Sequence, residues 1–219
     1  GANSSFVHQL VDPDVPVESL CVHPAETLRQ YPTYANPRIP LPREIFGPGR
    51  PNSRGVNLNV RSQYQPLMEA MATTMEKEHR VGPLLAFEVA DDPASRHAVK
   101  SPYDRRKQVG TVQWTSADEA ARAVDAAWAA FPRWEATPVA VRAAIVRRLG
   151  DLMEAHMAEL MTLCSREGGK LLTDGVDEIK EAVDFCRYYA MRAEELFSQP
   201  TVLPGPTGES NQLMLAGKG

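Results

Sequence analysis

The stretch Leu160-Met-Thr-Leu-Cys-Ser-Arg-Glu-Gly-Gly-Lys-Leu-Leu-Thr-Asp-Gly-Val-Asp-Glu-Ile-Lys-Glu-Ala-Val-Asp-Phe-Cys-Arg-Tyr-Tyr189 decides how the rest of the chain is read. One helical pattern ends at Gly168-Gly169, where glycine supplies a left-handed stop at no steric cost. A second pattern opens near Thr173-Asp174. Glu167-Gly-Gly-Lys170 between them reads as a helix stop and restart that sets how two helices pack. The following helix is expected from Asp174 to about Phe197, because Val176, Ile179, Val183, Cys186, Ala190, Ala193 and Phe197 recur at steps of three and four. Three heptads with Ala at two seam positions favour a core-facing helix over a coiled coil.

Upstream, two more helices are expected. Ser116-Ala-Asp-Glu119 is a capping box, in which the Ser oxygen and the Glu carboxylate satisfy free backbone N–H groups. Ala120, Val124, Ala127, Trp128 and Phe131 form the apolar face of that first helix, and Pro132 is expected to stop it. Thr137-Pro138, a cap followed by proline at the first helical position, opens the second. Val141, Ile145, Leu149, Leu152, His156, Leu160 and Leu163 make its stripe, which runs unbroken to Gly168. His156 is expected as a core or edge residue of that stripe, since no second His, Cys or Asp stands at metal-ligand spacing.

Before residue 95 the texture is irregular. Twelve of the 18 prolines precede residue 100, and each removes a donor and biases its predecessor toward extended backbone. Asn36-Pro-Arg-Ile-Pro-Leu-Pro-Arg43 reads as an extended arm with apolar anchors at Ile39, Leu41, Ile45 and Phe46. Gly47-Pro-Gly-Arg-Pro-Asn-Ser-Arg-Gly55 is glycine-rich and basic, but a phosphate cradle needs a Gly-Lys-Ser/Thr end and a following helix, so it reads as turn. Pro66 to Lys77 is a short helix with Leu67, Met71 and Met75 on one face. Arg96–Lys100 and Gln108–Trp114 form a hairpin around the turn Ser101-Pro-Tyr-Asp104. Ser210–Leu215 is a terminal strand with no partner after it, preceded by a rigid irregular connection from Pro200 to Gly208. A strand followed only by a turn suggests a truncated chain.

The bulk numbers set limits. The 219 residues suffice for one or two domains, and 43% hydrophobic with 24% charged residues is ordinary for a globular protein. The net charge of −4, with interleaved signs, disfavours a nucleic-acid partner. No apolar run approaches the roughly 20 residues of a membrane span. Gly1-Ala-Asn-Ser-Ser lacks the basic start and apolar core of a signal peptide, and Cys21, Cys164 and Cys186 form no Cys-x-x-Cys pair. A reducing, cytoplasmic setting is therefore expected, with Cys164 and Cys186 as structural thiols. No Gly-x-Gly-x-x-Gly, Gly-x-Ser-x-Gly or His-Glu-x-x-His occurs, so residues 1–219 show no complete active site.

Phe131-Pro-Arg-Trp134, Thr137-Pro-Val-Ala-Val-Arg-Ala-Ala-Ile145, Glu167-Gly-Gly-Lys170 and Glu178-Ile-Lys-Glu-Ala-Val-Asp-Phe-Cys-Arg-Tyr-Tyr-Ala190 together resemble the amino-terminal part of an aldehyde dehydrogenase. Gly1-Ala-Asn-Ser-Ser-Phe-Val-His8 resembles the end of a proline dehydrogenase barrel. Pro37-Arg-Ile-Pro-Leu-Pro-Arg43 with Asn52-Ser-Arg-Gly55 resembles the arm between the two modules of the bifunctional proline utilization A family. The resemblance implies an α/β parent with a Rossmann-type NAD domain, of which this segment is mostly α with a β-hairpin, a terminal strand and a Pro-rich extended arm. It implies residues 1–10 as the end of the proline dehydrogenase module, 11–94 as the inter-module arm, and 95–219 as the start of the aldehyde dehydrogenase domain.

Such a parent oxidises proline to 1-pyrroline-5-carboxylate with FAD, and glutamate semialdehyde to glutamate with NAD. In the second reaction a thiolate attacks the aldehyde, hydride passes to NAD, and a Glu-activated water releases the acid. No residue of this chain matches the family's nucleophile, general base, oxyanion Asn or cofactor motifs, so no catalytic, cofactor-binding or metal residue is assigned and the segment alone is expected to be inactive. Glu181 is the single position that the resemblance brings to the substrate pocket. A homo-oligomer, and peripheral membrane association through a proline dehydrogenase part, are expected of the parent. A monofunctional aldehyde dehydrogenase fragment and a non-enzymatic helical interaction module are the alternatives.

Overall fold

Residues 10–33 and 39–218 are described by the computed structural model. The resemblance at residues 1–8 and Asn36, Pro37 and Arg38 of the arm lie outside them. The contacts divide the chain into two units, Gly1–Ile45 and Phe46–Gly219.

The first unit holds two short helices, α1 (Val17–Leu20) and α2 (Pro24–Arg29), and a single 3-10 turn at Pro42–Glu44. The imidazole of His23 caps α2 by accepting the Ala25 N–H at 3.2 Å. None of these elements has a buried residue. The expected anchors Ile39, Leu41 and Ile45 are each more than half exposed.

In the second unit the core lies where three helices meet: α3 (Arg61–Met75), α6 (Met157–Gly168) and α7 (Leu172–Phe197). Leu67 and Met71 come from α3, Met157 and Met161 from α6, and Val176, Ile179 and Val183 from α7. Residues 46–75, expected as part of a connecting arm, thus supply part of this core. α3 starts five residues before the expected Pro66. Proline inside the helix forfeits one backbone bond, and burial of Leu67 and Met71 one and five residues later offsets that loss. Met75, read on the same face, is 38% exposed.

The expected single second helix is two: α5 (Val139–Ala155) and α6, separated at His156 (φ −99°, ψ 19°). His156 therefore stands at a break, with its side chain largely exposed 3.6 Å from the Glu159 carboxylate, and not on a buried stripe. The break swings α6 toward α3, while α5 lies along α7. The start of α5 also differs from expectation. Pro138 is the N-cap without side-chain capping, and Thr137 Oγ1 instead donates to Arg133 O of the preceding helix at 2.9 Å.

That preceding helix, α4 (Ala117–Glu135), has the expected Ser116/Glu119 capping box, but it runs through Pro132. Proline fixes a helical φ, and three residues from the end its missing N–H removes only one bond, so it does not stop the helix. None of the residues of α4 is buried, and Val124 and Trp128 are each 58% exposed.

α5 packs on α7 through small residues. Ala143 and Gly150 are buried, and a Cβ on Gly150 would stand 3.1 Å from Cys186 Cβ, so glycine permits the close crossing. The aliphatic stripe read as the α5 core face (Val141, Ile145, Leu149, Leu152) stays 39–53% exposed. Arg147 of α5 forks onto both carboxylate oxygens of Glu194 in α7.

The hairpin forms as expected from β2 (Arg96–Lys100) and β3 (Gln108–Gln113), paired antiparallel. A third strand, β1 (His79–Val81), pairs parallel to β3, giving the order β1-β3-β2. Arg166 of α6 holds this sheet by donating to Lys77 O (3.2 Å) and Gln108 O (3.0 Å). The terminal strand β5 (Asn211–Leu213) pairs antiparallel with β4 (Thr201–Leu203), which precedes it, so the connection expected to be irregular holds a strand.

Breaking the β1–β3 contact is simple. A Cβ on Gly110 would stand 2.2 Å from His79 O, a backbone atom that cannot rotate away. Gly110→Ala is expected to cost about 1–3 kcal/mol, read as a lower urea midpoint with unchanged slope.

Acid should also weaken the fold. Hydrogen bonds from Arg147 hold Glu194 below the ordinary carboxylate value, those from Lys77 do so for Glu159, and those from the Ser116 backbone and hydroxyl for Glu119. Groups with depressed folded-state pKa stabilise above their unfolded value, and that stability disappears as pH falls through the folded value. Tm should therefore decline below the ordinary value of 4.5 and do so less steeply in high salt.

Candidate functional site

α7 positions Glu181. Its start is set by Asp174, whose carboxylate accepts the Leu171 N–H at 3.3 Å. Val176, Ile179, Val183, Arg187 and Ala190 face inward. Glu181 therefore lies on the outer face, exposed, with Phe185 one turn and Tyr188 two turns further along. Phe185 and Tyr189 stack with ring centroids 5.9 Å apart, and Tyr188 meets Tyr189 edge-on at 5.2 Å.

The segment Phe46–Arg54 borders the same face. Gly47 adopts φ 77°, a left-handed conformation that favours glycine, and the Arg50 N–H closes the turn onto Gly47 O. The glycine-rich stretch is thus the turn that its sequence predicts. The turn brings the Arg50 guanidinium between two rings, 4.0 Å from the Phe46 centroid and 5.1 Å from that of Tyr188. Arg50, Glu181, Asp184, Phe185 and Tyr188 line an open depression of about 380 Å³.

A clamp of charges holds this turn on the helices. Arg187 is 5% exposed and donates to Asp151 Oδ1 (3.0 Å) and Glu154 Oε2 (3.1 Å) of α5. It also reaches Pro51 O at 3.4 Å. Burial pulls the Arg187 pKa down, but the hydrogen bonds it donates to Glu154 and Asp151 more than offset this, so the group stays protonated. The other oxygen of Glu154 accepts the Arg54 N–H. Asp184 accepts the Ser53 N–H at 2.7 Å and the Ser53 hydroxyl at 2.8 Å, and Ser53 is itself buried. Composition signalled none of this. Arg187 sits in phase with the buried stripe of α7, but an arginine there does not read as a core residue. Replacing it with Met roughly keeps the volume and removes the guanidinium from Asp151 and Glu154. Arg187→Met should cost about 3 kcal/mol in urea unfolding.

The junction Glu167-Gly-Gly-Lys170 is the helix stop and restart read from sequence. Gly169 is left-handed (φ 67°), with its N–H on Ser165 O and the Lys170 N–H on Cys164 O. Lys170 pairs with Glu178 across the junction. None of its residues lines the depression, and it carries no catalytic constellation.

The thiols are separate. Cys164 and Cys186 are partly buried and Cys21 is exposed, all unbridged. Burial pushes the Cys164 thiol up, which makes it a poor nucleophile at neutral pH. Among the described residues no group of three His, Cys, Asp or Glu could hold a metal ion. None of the described helices is long and apolar enough to cross a membrane.

Comparison with known proteins fits this geometry to a family. The aldehyde dehydrogenase family model matches residues 89–216. The bifunctional protein PutA of Escherichia coli is 35% identical over 213 residues, covering 94% of this chain and 16% of that protein. The chain thus spans a small part of the length of this relative. The 1-pyrroline-5-carboxylate dehydrogenase 2 of Bacillus subtilis is 28% identical over 156 residues, 71% of this chain and 30% of that protein. Among solved structures, a variant of Bradyrhizobium japonicum Proline Utilization A superposes with a TM-score of 0.68 at 36% identity, covering 99% of this chain and 18% of that one. With β2 to β5, the capping box of α4 and the glycine junction inside the matched region, which covers more than half of the sequence, the chain belongs to the aldehyde dehydrogenase family.

Proposed function

We propose that the chain is a segment of a bifunctional proline-catabolic oxidoreductase. The parent would oxidise proline to 1-pyrroline-5-carboxylate with FAD, and glutamate semialdehyde to glutamate with NAD, in the cytoplasm. One observation carries the reading. The similarity to PutA runs over 94% of the chain, so it includes residues ahead of position 89, where the aldehyde dehydrogenase model begins. Dehydrogenases of 1-pyrroline-5-carboxylate among the relatives support the same substrate class. A homo-oligomer, with peripheral membrane association through a proline dehydrogenase part, belongs to the same reading. The net charge of −4 supports no nucleic-acid role for this segment.

The residues described do not fit a nicotinamide or flavin cofactor. No strand among them runs through a Gly-x-Gly-x-x-Gly turn into a helix, and no cysteine stands in the nucleophile context of the family. No chemical step is therefore derived through either cofactor. What this chain contributes is a scaffold and one carboxylate, Glu181, at the edge of the substrate pocket.

Two assays test the proposal. The complete gene product should form NADH from 1-pyrroline-5-carboxylate and reduce a dye acceptor with proline, while residues 1–219 alone should do neither. A complete protein with neither activity, or turnover by the segment alone, would contradict it.

A further inference from the structure

The stretch that follows β1 has the exposure pattern of a strand with nothing laid over it. β1 is an edge of the order β1-β3-β2. From Gly82 to Ala90 exposure alternates residue by residue: Pro83, Leu85, Phe87 and Val89 are partly buried, while Gly82, Leu84, Ala86, Glu88 and Ala90 are exposed. The inner side is fastened. Arg122 of α4 lies over the Phe87 ring at 4.0 Å, Gln113 Nε2 donates to Ala90 O at 2.8 Å, and Arg96 pairs with Asp91. The outer side is uncovered. Leu84 is 100% exposed and stands at an open hollow of about 530 Å³, whose apolar lining includes Val81, Pro83, Leu85 and Phe87. Arg80 and Glu88 border the same hollow, both exposed, and among the described residues neither has an ionic partner.

We propose that residues 80–88 are a contact surface for a second copy of the chain, related by a two-fold axis at Leu84. Read along the outer side, positions 80, 82, 84, 86 and 88 are Arg, Gly, Leu, Ala and Glu. That order complements itself when two copies run antiparallel, as an isologous contact requires. Leu84 meets the partner's Leu84 over the apolar hollow. Arg80 meets the partner's Glu88, and the same pair recurs on the other side of the axis. Gly82 faces the partner's Ala86, and these small residues let the two segments approach. Pro83 has no N–H to give to a sheet ladder, so the copies meet through side-chain faces and not by edge pairing. The contact takes a fully exposed leucine and its apolar surroundings out of water. It is independent of the reaction proposed above.

The test uses the complete protein. Leu84→Cys puts a thiol on the axis, so mild oxidation should link two chains through a disulfide that reductant dissolves. The yield should far exceed that of Tyr103→Cys, an exposed position on the β2–β3 turn. In the Leu84→Cys background, Arg80→Glu and Glu88→Arg should each slow cross-linking about tenfold at equal protein concentration, because each turns two attractive pairs per dimer into repulsive ones. Both substitutions together exchange the charges and should restore the rate. A Leu84→Cys yield no higher than that of Tyr103→Cys overturns the proposal, and so does a double variant no faster than the single ones. A Leu84→Cys protein that resists both cross-linking and a small maleimide is covered by another part of its own chain, which overturns it equally.

Discussion

The buried guanidinium of Arg187 is the constraint on which the second unit depends. A charge removed from water is tolerated only with partners, and Arg187 finds them on α5 and in the carbonyl of Pro51. Because Glu154 also accepts the Arg54 N–H, and Asp184 accepts two donors from Ser53, a proline-interrupted segment with little secondary structure is fixed to two helices. The same interactions fix the position of Arg50, one residue before the clamped stretch. Local chain chemistry thus determines where a charged side chain stands on the outer face of α7.

The division of labour along α7 follows from helical geometry. One stripe of Val and Ile makes the core with α3 and α6, and Arg187 extends that stripe into a polar contact with α5. The outer stripe of Glu181, Phe185 and Tyr188 lines the depression. Gly150 permits the α5–α7 approach, and the Arg147–Glu194 fork also ties the two helices.

Much of this was legible in the sequence. The capping box, the glycine stop, the α7 stripe and the β2–β3 hairpin were signalled by local residues whose effect is local. What was missed depends on residues distant in sequence. The three-residue β1 pairs with β3 across 31 positions and has no periodicity to reveal it. β4 lies in a proline-flanked stretch and forms only against β5. His156 was read as a stripe residue because a break of one residue barely disturbs apolar spacing, while the backbone there turns α6 toward α3. The stripe of Val141, Ile145, Leu149 and Leu152 has apolar helical spacing, but periodicity does not say which face meets α7, and the small residues Ala143 and Gly150 are the buried ones. Of the depression, Glu181 came from family resemblance. Arg50 reads from sequence only as part of a turn, since one of the two rings against it, Tyr188, is far along the chain.

Amide hydrogen exchange at Ser53 and Arg54 tests the clamp most directly. If Asp184 and Glu154 hold these two N–H groups as described, both should exchange as slowly as the neighbouring amides of α7, although they belong to no helix or strand. Exchange at the rate of an open loop would contradict the clamp and, with it, the placement of Arg50.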